Sequence, residues 1–423
     1  MGEKRSQPPL GMESLLTQVL ERTNLIRALK QVKRNKGVAG VDDMTVEELT
    51  SYLKQHWPEI KSQLLSGHYQ PQAVRRVEIP KPGGGKRKLG IPTVIDRLIQ
   101  QAIAQVLTLI WEPHFHPHSY GFRPNRNAHQ AIYQARSEIV QGKRWVVDLD
   151  LDAFFDRVNH DRLIGTLKGL IKDKALLRLI NRYLKSGIQH HNGHKEKTTQ
   201  GVPQGGPLSP LLSNIVLNEL DWELEKRGHA FVRYADDCQI YVSSQRAGER
   251  VKESISCFIE NTLRLKVNVK KSAVARPWKR KFLGFTFSLR SGHKIKVSEV
   301  ALEKLKQTVR KLCRRTRGHS ISRIIADLKR SLLGWKAYFG IAEIKSPQRD
   351  VEKWIRRKLR CYLWKQWGRS GYRKLRRHGV KRQLAWNTAK SAHGPWRLSK
   401  SPALYYALPN SYFRGLRLPS LVV

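Results

Sequence analysis

The sequence predicts an α+β protein with basic helical regions at both ends. Two observations carry this. Between Ala73 and Val242, short runs of alternating apolar and polar residues meet at tight turns and mix with helical stretches. Before that region, and again past Leu289, apolar residues recur at helical spacing instead.

The 423 residues, 40% of them apolar, suffice for two or three packed units. Lys and Arg number 80 against 34 Asp and Glu, a net charge of +46. So large an excess resists compaction unless a polyanion shares the load. With Trp and Tyr spread throughout, that polyanion is most simply nucleic acid. A ribosomal-type protein shares the charge but rarely this length or apolar periodicity. Cys238, Cys257, Cys313 and Cys361 form no C-x-x-C pair, so neither a zinc module nor a disulfide framework is expected. No apolar run approaches a membrane span, and no signal peptide is visible. No membrane partner and a reducing, cytoplasmic location are therefore expected. The start Met1-Gly2-Glu3-Lys4-Arg5-Ser6 fits a myristoylation pattern but reads better as a polar tail ending at Pro8 and Pro9.

In chain order, Met12 to Lys36 reads as one helix. Gly37 to Asp43 is a glycine-punctuated loop. A second helix follows, with Thr45 as cap and Glu48 three residues on. Val77 and Ile79, then Arg87, Leu89 and Ile91, form a basic β-hairpin around the Pro80–Gly85 turn. Gly83-Gly84-Gly85 lacks P-loop spacing and is read as the hairpin tip. Asp96 to Leu109 is helical. Trp145 to Leu151 is a strand, and Phe154 to Asn159 leads into a helix. His190-His191-Asn192 hints at an H-N-H nuclease, yet Asn192-Gly193 is a hairpin turn between short strands. Pro207 to Leu224 is a helix, and Phe231 to Val242 a strand, tight turn and strand. Past Leu289 the chain is helical and more basic, with Trp354, Ile355, Leu359 and Tyr362 on one face and Arg356, Arg357, Lys358 and Arg360 opposite.

Two acidic clusters stand out in a basic chain. Asp236 and Asp237 sit in the Tyr234-Ala235-Asp236-Asp237 turn, flanked by aromatic and β-branched residues. Alone, such a pair is usually a solvated turn. Asp148, Asp150 and Asp152 end the strand from Trp145 and would share one face of it. A carboxylate from each cluster could jointly hold two divalent ions. The oxygen-rich donor set suits Mg2+, with Mn2+ as a substitute. Two such ions can activate a hydroxyl and stabilise a leaving pyrophosphate.

Tyr234-Ala235-Asp236-Asp237 resembles the signature hairpin of reverse transcriptases. Pro203-Gln204-Gly205-Gly206-Pro207-Leu208-Ser209-Pro210 resembles their segment before the palm helix. Asp150-Leu151-Asp152-Ala153-Phe154-Phe155-Asp156 matches their spacing from catalytic aspartate to the residue beneath the sugar. Blocks at Arg75–Gln101, Ser119–Asn127, Asn268–Ser272 and Phe282–Phe285 follow in the family's order. The alanine of the signature, the helical preface and the basic helical tail resemble the compact, endonuclease-lacking, group IIC-like proteins of group II introns. Nothing like an H-N-H module with paired cysteines follows Ala389.

The resemblance implies a right-hand polymerase with fingers and an antiparallel palm, a helical thumb and a small basic module. The expected spans are 1–74 for the basic preface, 75–295 for fingers and palm, 296–367 for a maturase-like thumb, and 368–423 for a DNA-binding module. It implies RNA-directed DNA polymerase activity, copying intron RNA into DNA during retrohoming, and maturase activity on that RNA. A reverse transcriptase serving phage defence or DNA repair is the alternative. The expected partners are an RNA template, a DNA primer or target, and deoxynucleoside triphosphates (dNTPs), in a bacterial cytoplasm. Asp150 and Asp236 would bind the metals with the Leu151 carbonyl, supported by Asp237. Lys81 and Arg87 would clamp the triphosphate. Phe155 would sit under the ribose, and Gln204 would touch the nucleotide. Lys271 would donate a proton to pyrophosphate, with Lys270 not separated from it. Arg123, Phe282, Leu283 and Gly284 would hold primer and template.

Overall fold

The computed structural model describes residues 14–80, 84–290 and 292–422. The chain divides into two compact units, 1–275 and 276–423.

In the first unit the expected opening helix is broken in two, α1 (Leu15–Val19) and α2 (Arg22–Asn35), because Glu21 takes an extended conformation between them. Met12 lies outside the described residues. The Glu48 carboxylate accepts hydrogen bonds from the Thr45 backbone N–H and hydroxyl at 2.7 and 2.8 Å, ahead of α3 (Leu49–Leu65). Strands β1 (Val74–Pro80) and β2 (Lys86–Ile91) form the expected basic hairpin, paired from Arg75–Ile91 to Pro80–Lys86. Helix α4 (Val94–Trp111) follows, capped by the Thr93 hydroxyl.

Helix α5 (Ala128–Val140) starts at a capping box of Asn127 and Gln130. Then come β3 (Trp145–Leu149), α6 (Phe154–Arg157), α7 (His160–Leu170) and α8 (Lys174–Leu184). Strands β4 (Ile188–Gln189) and β5 (Lys195–Glu196) flank the histidine-rich turn, an ordinary hairpin. Helix α9 (Ser209–Lys226) leads to β6 (Ala230–Tyr234), β7 (Asp237–Val242), α10 (Gln245–Asn261) and β8 (Ala273–Ala275).

Two sheets result. One has the order β6-β7-β3-β8 and is antiparallel throughout. The other, β2-β1-β4-β5, contains a parallel β1–β4 pair that the hairpin pattern did not signal. The main core packs helices on the β6-β7-β3-β8 sheet, with Ile99, Ile103 and Leu107 of α4, Ile215 and Leu224 of α9, and Val147 and Ile240 of that sheet all buried.

The second unit opens with β9 (Phe285–Phe287) and β10 (Ile295–Val297), so helix begins later than Leu289. Helices α11 (Glu299–Leu312), α12 (Ile321–Phe339) and α13 (Ser346–Trp367) follow. Short helices α14 (Gly371–Arg377), α15 (Arg382–Lys390), α16 (Pro395–Leu398), α17 (Pro402–Ala407) and α18 (Asn410–Gly415) complete it. Val351, Ile355, Leu359 and Tyr362 of α13 are buried, as their spacing predicts. Trp354 is only half-buried, and Arg360, expected on the opposite basic side, is buried, donating to the Leu408 carbonyl at 2.9 Å. No described helix is long and apolar enough to cross a membrane.

Asp173 ties the start of α1 to α8 in the first unit. Its carboxylate caps α8 at the Leu176 N–H (3.0 Å) and accepts from the Ser14 hydroxyl (2.5 Å) and the Leu16 N–H (2.9 Å). Burial pushes the carboxyl up, but these hydrogen bonds outweigh it and hold it below the ordinary carboxylate value. A depressed acid contributes stability above its unfolded value and loses it as pH falls through the folded one. Asp173→Ala should therefore destabilise the chain by about 1–2 kcal/mol in urea at neutral pH. Asp173→Asn should flatten the loss of urea midpoint below about pH 4.

Candidate active site

The site grows from sheet register. Leu149 pairs with Cys238, and both are buried toward the core. One step beyond this pair stand Asp150, just past the end of β3, and Asp237 at the start of β7, which shares the face of Gln239 opposite Cys238. Tyr234 pairs with Asp237, so Ala235 and Asp236 form the two-residue turn between β6 and β7. Ala235 has φ +57°, in the left-handed region, which brings Asp236 back toward β3.

Asp150 is half-buried. Burial raises its carboxyl above the ordinary value; Lys271 pulls it down, while Asp236, Asp148 and Asp152 push it up again. Asp150 and Asp236 thus feel each other's charge. The Lys271 ammonium lies 3.7 Å from the Asp150 carboxylate while remaining 63% exposed. Lys271, rather than Lys270, is the lysine set against the acidic cluster. Asp152 turns aside and pairs with Arg157 at 2.9 Å, because the strand ends at Leu149 and alternation stops with it.

Leu151 forms an isolated bridge with Val267. The Asp152 N–H donates to the Lys266 carbonyl and the Asn268 N–H to that of Asp150, both at 2.8 Å. That pattern leaves the Leu151 carbonyl outside the bridge. Ser272, next to Lys271, accepts from the Asp150 N–H at 3.0 Å. Among the described residues, no three acidic, histidine or cysteine side chains stand together as a complete metal cage. The donor set is carboxylate and carbonyl oxygen beside an under-neutralised acidic pair. It fits a Mg2+ ion that draws its remaining ligands from water and substrate phosphates.

What fixes the turn is a buried ion pair absent from the sequence reading. Arg233 of β6 and Asp221 of α9 are both 0% exposed and joined by two hydrogen bonds, of 2.6 and 2.5 Å. The remaining guanidinium protons go to the Asn214 side chain (3.0 Å), the Ala235 carbonyl (2.8 Å) and the Ser119 hydroxyl (2.8 Å). All five donors are used. Asn214 in turn donates to the Gly121 carbonyl at 2.8 Å. A Cβ on Gly121 would overlap the Ala235 backbone nitrogen, so only glycine lets the 119–121 strap pass beneath the turn. One signal was available: an arginine directly before the signature, and an aspartate on an otherwise apolar helical stripe.

The other expected residues are distributed as follows. Phe155 and Gln204 line one cavity of about 290 Å3 with Arg76, Lys88 and Gly90. Gln204 accepts the Gly90 N–H at 2.8 Å through its backbone carbonyl. Gly205, at φ +130°, passes so close to the Gly90 carbonyl that a Cβ would lie 2.8 Å from it. Arg87 alternates with Lys88 along β2 and so faces away from that cavity, on the side of Ile79. Lys81 lies outside the described residues. Arg123 is buried; its guanidinium holds the Glu112 carboxylate (2.8 Å) and the carbonyls of His116 (2.6 Å) and Ser119 (2.8 Å). Its donors are turned inward on the 112–123 segment, which makes it a positioning residue for the strap rather than a contact for primer or template. Phe282, Leu283 and Gly284 belong to the second unit. There they form a tight turn with Phe285, with the Leu283 carbonyl bonded to the Tyr338 hydroxyl at 2.9 Å.

An antiparallel sheet carrying acidic residues at a hairpin turn and on the neighbouring strand defines a nucleotidyl-transferring polymerase palm. Residues 79–287 match the reverse transcriptase (RNA-dependent DNA polymerase) family, and residues 302–383 match the group II intron maturase-specific domain. The chain is 34% identical over 310 residues to Protein YkfC of Escherichia coli K12, covering 64% of this chain and 81% of that protein. It is 31% identical over 339 residues to the group II intron-encoded protein LtrA of Lactococcus lactis subsp. cremoris, covering 64% of this chain and 56% of that protein. It therefore belongs to the group II intron family of reverse transcriptases with a maturase domain.

Removing Arg233 leaves Asp221 charged and buried. Arg233→Ala should lower unfolding stability by about 3–5 kcal/mol. The double substitution Arg233→Met/Asp221→Leu should recover most of that stability in a urea melt. If the pair positions the turn, the double variant's primer extension should stay depressed by about tenfold or more. Gly121→Ala should lower the rate of primer extension while leaving RNA binding within about twofold.

Proposed function

We propose that this chain copies intron RNA into DNA at the Asp150, Asp236 and Asp237 cluster. It would also bind that RNA as a maturase. The observation that carries the reading is the meeting of Asp150 and Asp236 across β3 and the β6–β7 turn, with Lys271 beside them.

Each residue has a physical task in this reading. Asp150 and Asp236, with the Leu151 carbonyl, supply hard oxygen ligands, and Asp237 adds negative charge from the adjoining position. Two bound Mg2+ ions would supply Lewis-acid activation of the primer 3′-hydroxyl and charge neutralisation at the departing pyrophosphate. Lys271, beside Asp150, would lower the resting repulsion among the carboxylates and pass a proton to pyrophosphate. Arg76 and Lys88, which line the cavity with Phe155 and Gln204, would hold the triphosphate from the basic hairpin in place of Arg87, which faces the other way. Phe155 would pack beneath the ribose and exclude a 2′-hydroxyl, with Gln204 alongside.

The second unit supplies basic aromatic surface. Lys358 of α13 lies over Trp354 at 5.6 Å and Trp396 at 4.8 Å, and Arg357 over Trp396 at 3.7 Å. Such a surface suits an A-like RNA–DNA hybrid, gripped through phosphate and 2′-hydroxyl groups. The Phe282–Gly284 turn would carry the primer end. Binding through so many cations should weaken steeply with salt.

Primer extension on an RNA template with Mg2+ and all four dNTPs tests the reading. Asp236→Ala should reduce extension by about a thousandfold or more, with RNA affinity changed less than about threefold. Extension by that variant at the unsubstituted rate would remove Asp236 from the site. Phe155→Ala should raise ribonucleotide incorporation relative to deoxynucleotide incorporation by about tenfold or more, read from the ratio of kcat/KM values.

A further inference from the structure

A second cavity lies wholly inside the 276–423 unit; it shares Lys358 and Trp396 with the hybrid-gripping surface, but the polymerase reading gives its interior no task. It encloses about 490 Å3 and is lined by Arg310, Arg314, Arg315, Thr316, Lys358, Trp396, Cys313 and Cys361. That volume is in the range of roughly 300–1,000 Å3 typical of small-ligand sites. Four cations line it and no carboxylate does.

Its two ends differ in chemistry. Arg310, Arg314, Arg315 and Thr316, at and beyond the end of α11, are exposed and form the rim. Among the described residues, Arg310 pairs with Glu303, whereas Arg314, Arg315 and Lys358 have no carboxylate partner. The floor is the pair of buried thiols, Cys313 and Cys361. Burial pushes Cys313 up to about 12 and raises Cys361 too, so despite the nearby cations the floor stays neutral and weakly polar. Trp396 forms one wall, and its ring carries Arg357 at 3.7 Å as well as Lys358 at 4.8 Å, so a base would meet it beside these cations.

A cationic rim over a neutral floor with an aromatic wall has the polarity of a nucleotide: phosphate outside, base within. A continuous duplex could touch the exposed arginines but could not enter a concavity, because its bases are stacked and paired. We propose that this cavity captures a single unpaired RNA nucleotide, with the base lodged against Trp396 above the two thiols and its phosphates on Arg314 and Arg315. This rests on the reading of the unit as an intron-RNA binder. It goes further in giving that unit a means to recognise a bulged or flipped-out residue instead of helical shape alone.

The test uses the full chain and three short probes: an RNA hairpin with a one-nucleotide bulge carrying 4-thiouridine, the same hairpin fully paired with the thiouridine in the stem, and the bulged sequence as DNA. Photocrosslinking followed by peptide mapping should place the bulged RNA on peptides containing Cys313, Cys361 or Trp396, about fivefold or more above the paired hairpin. Arg314→Ala/Arg315→Ala, at two exposed positions, should weaken the bulged RNA by about fivefold or more and the paired hairpin by less than twofold, read by fluorescence anisotropy. The bulged DNA should bind more weakly than the bulged RNA. Equal crosslinking of paired and bulged RNA, an equal loss for both in the double variant, or tighter binding of the DNA would each overturn the proposal. Loss of primer extension in the unsubstituted chain would count against the polymerase reading and leave these ratios untouched.

Discussion

The guanidinium of Arg233 is where one strand, one helix and one loop of the palm meet. It sits on β6, takes both carboxylate oxygens of Asp221 on α9, and bonds to Ser119 of the strap and to the carbonyl of Ala235 within the turn. An ion pair this deeply buried contributes little net stability, because desolvation consumes most of the Coulomb attraction. Its effect is specificity. With every donor satisfied, a single arrangement of helix, strap and turn uses them all, and that arrangement carries Asp236 toward Asp150. The demand for Gly121 follows from the same geometry, since the strap can reach Arg233 only by passing under the turn without a side chain.

The acidic cluster is held in an unfavourable state by this frame. Asp150 is raised by burial and by its acidic neighbours, and a single exposed lysine compensates only in part. Among the described residues, such a centre lacks enough side-chain ligands to close around a cation alone. It is suited instead to metal that arrives with substrate phosphate, where charge must be neutralised as the reaction proceeds. Lys271 pairs with Asp150 at 3.7 Å with its side chain 63% exposed, so in the proposed mechanism it would yield to an arriving metal.

The site was readable where local pattern decides position. The β6–β7 hairpin followed from aromatic and β-branched residues around a two-residue turn, and β3 from its apolar run. The β1–β2 hairpin and α9 were equally plain. Reading failed where tertiary contacts decide. Asp152 was placed on the face of Asp150 because strand alternation was extended past Leu149, where the strand ends. The first helix was drawn through Glu21, since periodicity does not register one extended residue. Arg123 was assigned to nucleic acid on the family resemblance alone; its carboxylate partner, Glu112, is close only through the fold of the intervening loop. The parallel β1–β4 pair joins segments distant in sequence and leaves no short-range mark.

The central claim is that Asp150 and Asp236, brought together by the buried ion pair, hold the catalytic cations. Titrating Mn2+ into the full chain with a blocked primer, an RNA template and the next dNTP, followed by electron paramagnetic resonance, counts the ions bound. The unsubstituted protein should hold two, and Asp150→Asn should lose tight binding of at least one while still binding the primer–template. Two tightly bound ions in Asp150→Asn, with affinities unchanged, would contradict the account.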